Sequence, residues 1–302
     1  MNRSEPRPHT ERLFYKVIYT TTIFRLVDWL YRWLGRRVFN AVSSLIARVY
    51  ARTHPEIRAM VADNLALLTG RRDDSKAREV FRNFGLAISD YVCTGNMRPA
   101  DVRAWVTDYR GMEHIEAAHR AGRGAILATG HFGFFELGGH FLGQRGLPVT
   151  ALTLPEPSPA LTQWRADFRA RWGVRTLAIG ADPFASLEVV RELNKGHLCA
   201  MLVDRPFDSA HRLAVSLPGG RTAFSTSAAL LAYLADCPLI PVATSRLPGG
   251  TYRILAKPAI RIDRSLGRQA SVTQATLELA GSLFEEIQQC PTQWYQFVSV
   301  RC

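Results

Sequence analysis

Cysteine is scarce in this 302-residue chain. Five are present, at 93, 199, 237, 290 and 302, an odd number without a CxxC pair. That excludes a disulfide framework or a cysteine-rich zinc module as the organising device. Cys199 and Cys237 lie inside apolar runs and read as buried, reduced thiols, which places the catalytic part in a reducing compartment. Long hydrophobic runs are missing as well. The longest uncharged stretch in the first 60 residues, Val38 to Ala47, is ten residues, whereas a membrane span needs about 20. No ordinary transmembrane helix is expected. Arg25, Asp28 and Arg32 interrupt any signal-peptide core and no Ala-x-Ala site follows, so a cleavable leader is not expected either. The GxSxG elbow, the GK[ST] of a phosphate-binding loop and the HExxH of zinc proteases are all absent. No helix-turn-helix, zinc or RNP-like signature accompanies the basic residues, so nucleic acid is not an expected partner. Acidic residues are few, with 26 Asp and Glu against 38 Lys and Arg, a net charge of +12.

What remains is a globular composition, 47% hydrophobic and 21% charged. Its charge is uneven. Residues 1–60 carry 11 Lys and Arg against 4 Asp and Glu, interleaved with Phe14, Tyr15, Tyr19, Phe24, Trp29, Tyr31, Trp33, Phe39 and Tyr50. Rings at headgroup depth and cations facing anionic lipid suit a membrane interface. The alternative is a basic amphipathic helix packed on the protein's own core. The chain divides on this basis into an N-terminal interfacial region, 1–60, and a larger domain, 61–302.

Along the chain, residues 12–52 predict two amphipathic helices, with Leu26, Leu30, Trp33 and Leu34 at helical spacing, ended by Thr53-His-Pro55. Helices are predicted at 56–69, 75–94 and 112–121. An alternation follows: strand 124–129, helix 134–145, strand 148–153, helix 159–172, strand 174–178, helix 183–195, strand 198–203, helix 224–236 and strand 238–243. Apolar runs of about six residues between helices of about a dozen imply parallel βαβ units covered on both faces. Tyr252–Ile262 alternates like an edge or antiparallel strand broken by Pro258, helix 271–289 closes the chain, and Pro155-Glu-Pro-Ser-Pro159 predicts a stiff loop at a site mouth. The fold class is α/β, a mostly parallel central sheet flanked by helices, with a basic amphipathic N-terminal region for membrane association.

His131-Phe-Gly-Phe-Phe-Glu136 directly follows the first strand. A carboxylate-oriented histidine can take a proton from a hydroxyl or amine, because its unperturbed pKa lies near working pH. Five residues are about 140° apart around a helix, so the two meet only if His131 lies in the loop and Glu136 in the first helical turn. The alternatives are a histidine satisfied within the core, or a zinc site formed by His131, Glu136 and His140, the last two at i, i+4. Leu198–Val203 is a buried strand ending in Asp204 and Arg205, where open α/β sheets bind ligands. Either Asp204 and Arg205 form only a local salt bridge, or Arg205 binds a phosphate or carboxylate of the substrate. Ser216-Leu-Pro-Gly219-Gly220-Arg221-Thr222 combines a flexible backbone, a cation and hydroxyls ahead of a helix, a setting that favours anions. Arg165, Arg169, Arg171 and Arg175 form either a solvated face or a patch for an acidic carrier protein or a phosphate.

Together these blocks resemble the lysophospholipid acyltransferase superfamily, and within it the bacterial lipid A late acyltransferases (lauroyl/myristoyl type) and the related mannoside acyltransferases. The resemblance runs from Ala62-Asp-Asn-Leu-Ala-Leu-Leu-Thr-Gly70 to Cys290-Pro-Thr-Gln-Trp-Tyr-Gln-Phe297. Its most specific element is a histidine followed, five residues on, by an acidic residue after a hydrophobic strand. It implies that His131 is the general base and Glu136 its partner. It also implies that Asp204 and Arg205 belong to a second block, Gly219, Gly220, Arg221 and Thr222 to a third and Pro241 to a fourth, while Arg171 matches a basic position before a turn. Pro206, the Leu217–Gly220 turn and Trp294-Tyr-Gln-Phe297 depart from the lipid A pattern and leave the acceptor open. The expected activity is transfer of a fatty acyl group from an acyl thioester to a lipid hydroxyl or amine at the cytoplasmic face of the bacterial inner membrane. The thioester is acyl carrier protein or coenzyme A, with no metal and no further cofactor. A metal-dependent hydrolase and a non-catalytic lipid-binding protein are the other classes.

Overall fold

The computed structural model describes residues 21–95, 97–156, 158–179, 185–205 and 211–302. Residues 12–20 of the predicted first helix, with Phe14, Tyr15 and Tyr19, lie outside the described residues, as do Pro157, the helical start at 183–184 and Pro206. The same holds for the side chains of Phe24, Leu26, Leu30, Tyr31 and Leu34.

Helix α1 (Thr21–Thr53) bends at Gly35, where the backbone is not helical. Helix α2 (Pro55–Thr69) starts on proline, whose fixed φ and missing N–H suit the first turn. Helix α3 (Asp74–Thr94) is capped by the Asp73 carboxylate, which accepts from the N–H groups of Ser75 and Lys76. Beyond a short helix α4 (Pro99–Arg103) come strand β1 (Val106–Arg110), helix α5 (Met112–Arg120), strand β2 (Ala125–Thr129) and helix α6 (Phe135–Gly143). Strand β3 (Val149–Thr153), helix α7 (Pro159–Ala170), strand β4 (Val174–Ala178), helix α8 (Ala185–Asn194) and strand β5 (Leu198–Leu202) continue the alternation. A hairpin of β6 (Arg212–Leu217) and β7 (Gly220–Ser225) leads to helix α9 (Ser227–Ala235), strands β8 (Leu239–Arg246) and β9 (Tyr252–Ala256), and helix α10 (Arg268–Gln289).

Seven strands form one sheet in the order β1-β9-β8-β2-β5-β3-β4. Every pairing is parallel except β8 with β9. The mostly parallel α/β architecture is as expected. Strand β9 is antiparallel to β8, but β1 covers its other side and takes the edge. Alternate residues of β2 serve opposite cores, Ile126 and Ala128 on one face, Ala125 and Leu127 on the other. Burial on both faces is why this strand reads as an unbroken apolar run. Where a flexible loop was expected at 216–222, the six-residue strands β6 and β7 stand instead, which moves the start of the following helix from 224 to 227.

Candidate active site

Register builds the site. Strands β2 and β5 are parallel neighbours paired Ala125 with Leu198 through Thr129 with Leu202. His131 and Asp204 each lie two residues past the last of these pairs, so the sheet delivers them side by side at its carboxyl edge. The Val203 N–H bond to the Thr129 carbonyl (2.9 Å) carries the register beyond the strands. The loop after β2 then turns sharply. Gly133 has φ +55°, and a Cβ there would stand 1.8 Å from the Thr244 carbonyl oxygen of β8, so only glycine lets the loop pass.

The His131 Nδ1–H donates to Asp204 Oδ1 over 2.7 Å, and the His131 backbone N–H donates to Oδ2 over 2.8 Å. Two further donors reach Oδ2 from the C-terminal segment, Trp294 Nε1 at 2.8 Å and the Gln296 amide at 2.7 Å. Asp204 is 1% exposed, and burial by itself raises a carboxyl pKa. Here the charge and hydrogen bond of His131, the charge of Arg205 and the Trp294 N–H outweigh burial and hold it at about 2. An ionised carboxylate only accepts, so Nδ1 carries the hydrogen, and a ring without a second proton presents its lone pair at Nε2. Among the described residues Nε2 makes no hydrogen bond, and the side chain keeps 23% of its surface open. This arrangement can take a proton from an incoming hydroxyl or amine.

Glu136 does lie in the first turn of α6, but its carboxylate faces α7 rather than the imidazole. It accepts from Arg169 Nε (2.9 Å) and Nη2 (2.6 Å) and from Arg165 Nη2 (3.1 Å). Burial raises the Glu136 pKa, and the two guanidiniums more than reverse this, bringing it to about 2. The anticipated His131–Glu136 pair is therefore corrected. Asp204 orients the imidazole, and Glu136 neutralises buried Arg169 and half-buried Arg165. Arg169, expected on a solvated face or a carrier patch, is buried.

The other anticipated residues separate. Arg171 caps the end of α7, donates to the Gly95 carbonyl (3.2 Å) and stacks its guanidinium 4.9 Å from the Phe168 ring. Asp204 has its acceptors engaged within the protein and does not face a substrate. Arg205 donates to Gln296 Oε1 (2.5 Å) and to the Tyr295 carbonyl, which ties it to the C-terminal segment. The 219–222 turn packs on α2 and the C-terminus. Gly219 N–H donates to Leu67, and a Cβ at 219 would meet the Ala66 carbonyl oxygen at 1.8 Å. Gly220 pairs with Leu217, Arg221 accepts at its carbonyl from the Cys302 N–H, and Thr222 Oγ1 donates to Val300. The other end of β7, Ser225, bonds Val203 beside Asp204, so the turn lies roughly 16 Å along the strand from that end. These four residues dock the hairpin.

His131, Glu136 and His140 do not converge on a metal. His140 is fully buried with both ring nitrogens unpartnered, its ring stacked 5.2 Å from Trp172. Among the described residues no group of three or more His, Cys, Asp or Glu could hold a metal ion. Trp294 and Gln296, the donors to Asp204, were not anticipated. The only trace of them in the sequence is the polar–aromatic block Gln293-Trp-Tyr-Gln296, whose amide and indole hydrogens have no role in an apolar core.

The profile of a family described as bacterial lipid A biosynthesis acyltransferase matches residues 7–299. A phosphatidylinositol mannoside acyltransferase of Mycobacterium tuberculosis is 27% identical over 186 residues, 61% of this chain and 57% of that protein. A lipid A biosynthesis acyltransferase of Haemophilus influenzae is 25% identical over 175 residues, 57% of this chain and 54% of that protein. The chain thus spans little more than half the length of the curated relatives it matches.

Proposed function

This chain belongs to the bacterial lipid A biosynthesis acyltransferase family, and from that premise we propose that it moves a fatty acyl group from an acyl thioester to a hydroxyl or amine of a lipid. The observation that carries this is an imidazole held by Asp204 at Nδ1 and open at Nε2. Nε2 takes the acceptor's proton as its oxygen or nitrogen attacks the thioester carbonyl. The tetrahedral intermediate collapses, the C–S bond breaks, and the imidazolium returns the proton to the thiolate. The ionised Asp204 stabilises the imidazolium between these steps. First-turn N–H groups of α6 other than that of Leu137, which donates to the Phe134 carbonyl (3.0 Å), are suited to the developing oxyanion. The acceptor is a glycolipid, a lipid A precursor or a phospholipid-type mannoside, and the thiol carrier is acyl carrier protein or coenzyme A. Both carriers are acidic and suit the +12 chain.

The work is done at an anionic membrane surface, the cytoplasmic face of the inner membrane. Supporting this, α1 leaves Trp29 (57%) and Trp33 (77%) exposed with Leu45, Ile46 and Val49, and Arg37, Arg48 and Arg52 are exposed beside them. No described helix is long and apolar enough to cross a membrane. The test is single-turnover acyl transfer from acyl carrier protein and from coenzyme A to lipid acceptors in vesicles. His131→Ala is expected to lower the rate at least about 10²-fold with the fold kept. A rate near that of the unmodified protein would remove His131 as the base.

A further inference from the structure

The C-terminal segment crosses the site edge and supplies hydrogen-bond donors that the base itself does not require. We infer that Trp294 and Gln296 are positioning residues that fix the rotation and charge of Asp204 so that Oδ1 alone meets the His131 imidazole. This rests on the assignment of His131 as base.

The two carboxylate oxygens are loaded unequally. Oδ2 receives three donors, the His131 backbone N–H (2.8 Å), Trp294 Nε1 (2.8 Å) and Gln296 Nε2 (2.7 Å), while Oδ1 is left for the imidazole (2.7 Å). Three bonds converging on one oxygen oppose rotation about the Cβ–Cγ bond. An indole nitrogen donates and never accepts, so Trp294 favours the ionised carboxylate. The orientation of the Gln296 amide is settled by Arg205, which can only donate. Its Nε reaches Gln296 Oε1 at 2.5 Å, which turns the NH2 group toward Asp204. Arg205 thereby acts at the site through Gln296.

The segment's position does not depend on these contacts. Asn64 of α2 donates to the carbonyls of Gln296 (3.0 Å) and Val298 (2.8 Å) and accepts from the Val300 N–H (3.3 Å). The Tyr295 N–H bonds the His131 carbonyl (2.8 Å), and the Gly133 N–H bonds the Gln293 carbonyl (2.9 Å), so the same segment also clamps the histidine loop. Trp294 and Gln296 are each 1% exposed. The charged groups that face Asp204 are His131 and Arg205.

The sign of the effect follows from the charge balance. Donors spread the negative charge of the carboxylate. Without them it binds a proton more readily, and it also stabilises an imidazolium more strongly. Both changes make the pair take up its proton at higher pH. A base must be neutral to act, so the acid limb of the rate profile moves upward.

The experiment is the pH dependence of single-turnover acyl transfer by the full chain, with the melting temperature of each variant measured alongside. Trp294→Phe and Gln296→Met are each expected to raise the midpoint of the acid limb by about one pH unit, the scale of one hydrogen bond to a charged group, with KM for the thioester unchanged. A lowered melting temperature with an unmoved midpoint makes the two residues merely structural and overturns the inference. Should Trp294→Phe fail to fold, Gln296→Met decides by the same criterion. His131→Ala run in parallel separates the two claims. Retained activity in that variant defeats the base assignment, whereas lost activity with unmoved midpoints in the other two defeats only the role of the C-terminal donors.

Discussion

Two carboxylates, buried Asp204 and half-buried Glu136, stand at the carboxyl edge of this sheet, each held at a pKa of about 2, and their surroundings differ in kind. Asp204 meets a titratable ring whose far nitrogen is open, with neutral donors on its other oxygen. Glu136 meets two guanidiniums that cannot lose their protons, one of them also bound to Glu156 at 2.6 Å. The first environment can pass a proton, and the second can only hold two helices together. An acidic residue at suggestive spacing from a histidine therefore says little until the remaining partners are known.

The comparison breaks most visibly at Asp204. Asp204→Asn is expected to lower acyl transfer by about 10²–10⁴-fold while the fold persists, since a general base loses its orienting anion. Rates within about threefold of the unmodified protein would show that Asp204 is not the partner. Glu136→Gln should act on stability instead. It leaves buried guanidinium charge uncompensated, and urea unfolding should reveal a loss of about 3–5 kcal/mol, with activity per folded molecule reduced less than in Asp204→Asn. Removing the cation as well, in Glu136→Leu with Arg169→Leu, should recover part of that loss.

The neighbouring His140 sharpens the contrast through pH. Burial pushes its pKa down from 6.5 to about 4, against the pull of Glu136. Between these values the unfolded chain binds a proton that the folded one refuses, so stability falls as pH drops from about 6.5 toward 4, by about 3 kcal/mol over the window. The depressed carboxylates add their loss only below about pH 4. Thermal unfolding of His140→Phe, followed across this range, should lack most of the upper slope, and an unchanged slope would place the acid sensitivity elsewhere. The smallest effect belongs to α1. Trp33→Ser should weaken pelleting with anionic vesicles by about tenfold or less, leaving activity on detergent-dispersed acceptor intact; undiminished pelleting would remove this face from the membrane contact.

Much of the sheet was legible in the sequence because β2, β3 and β5 are short, mostly apolar runs between helices and β4, with Arg175 and Thr176 in it, is placed by the alternation, and their observed limits fall within about a residue of those predicted. Strand β1 was missed since Val106-Thr-Asp-Tyr-Arg110 is an edge strand with a largely exposed pattern. The β6–β7 hairpin was hidden by Leu217-Pro-Gly-Gly220, whose turn chemistry read as a loop. The site was legible in pieces. His131 and Asp204 both stood out as polar residues closing apolar strands, yet their pairing depends on β2 and β5 being neighbours in register, a contact between residues 73 positions apart. The nearer acid, Glu136, satisfied the local spacing, and only the arginines of α7 reveal where it points.

The imidazole hydrogen is the most direct witness. With histidine labelled by ¹⁵N, the spectrum of the intact protein should show His131, identified by its loss in His131→Ala, with its hydrogen on Nδ1 and bonded to a carboxylate. That state should survive in Glu136→Gln and disappear in Asp204→Asn. Its loss in Glu136→Gln and persistence in Asp204→Asn would contradict the assignment of Asp204 as the carboxylate that holds the base.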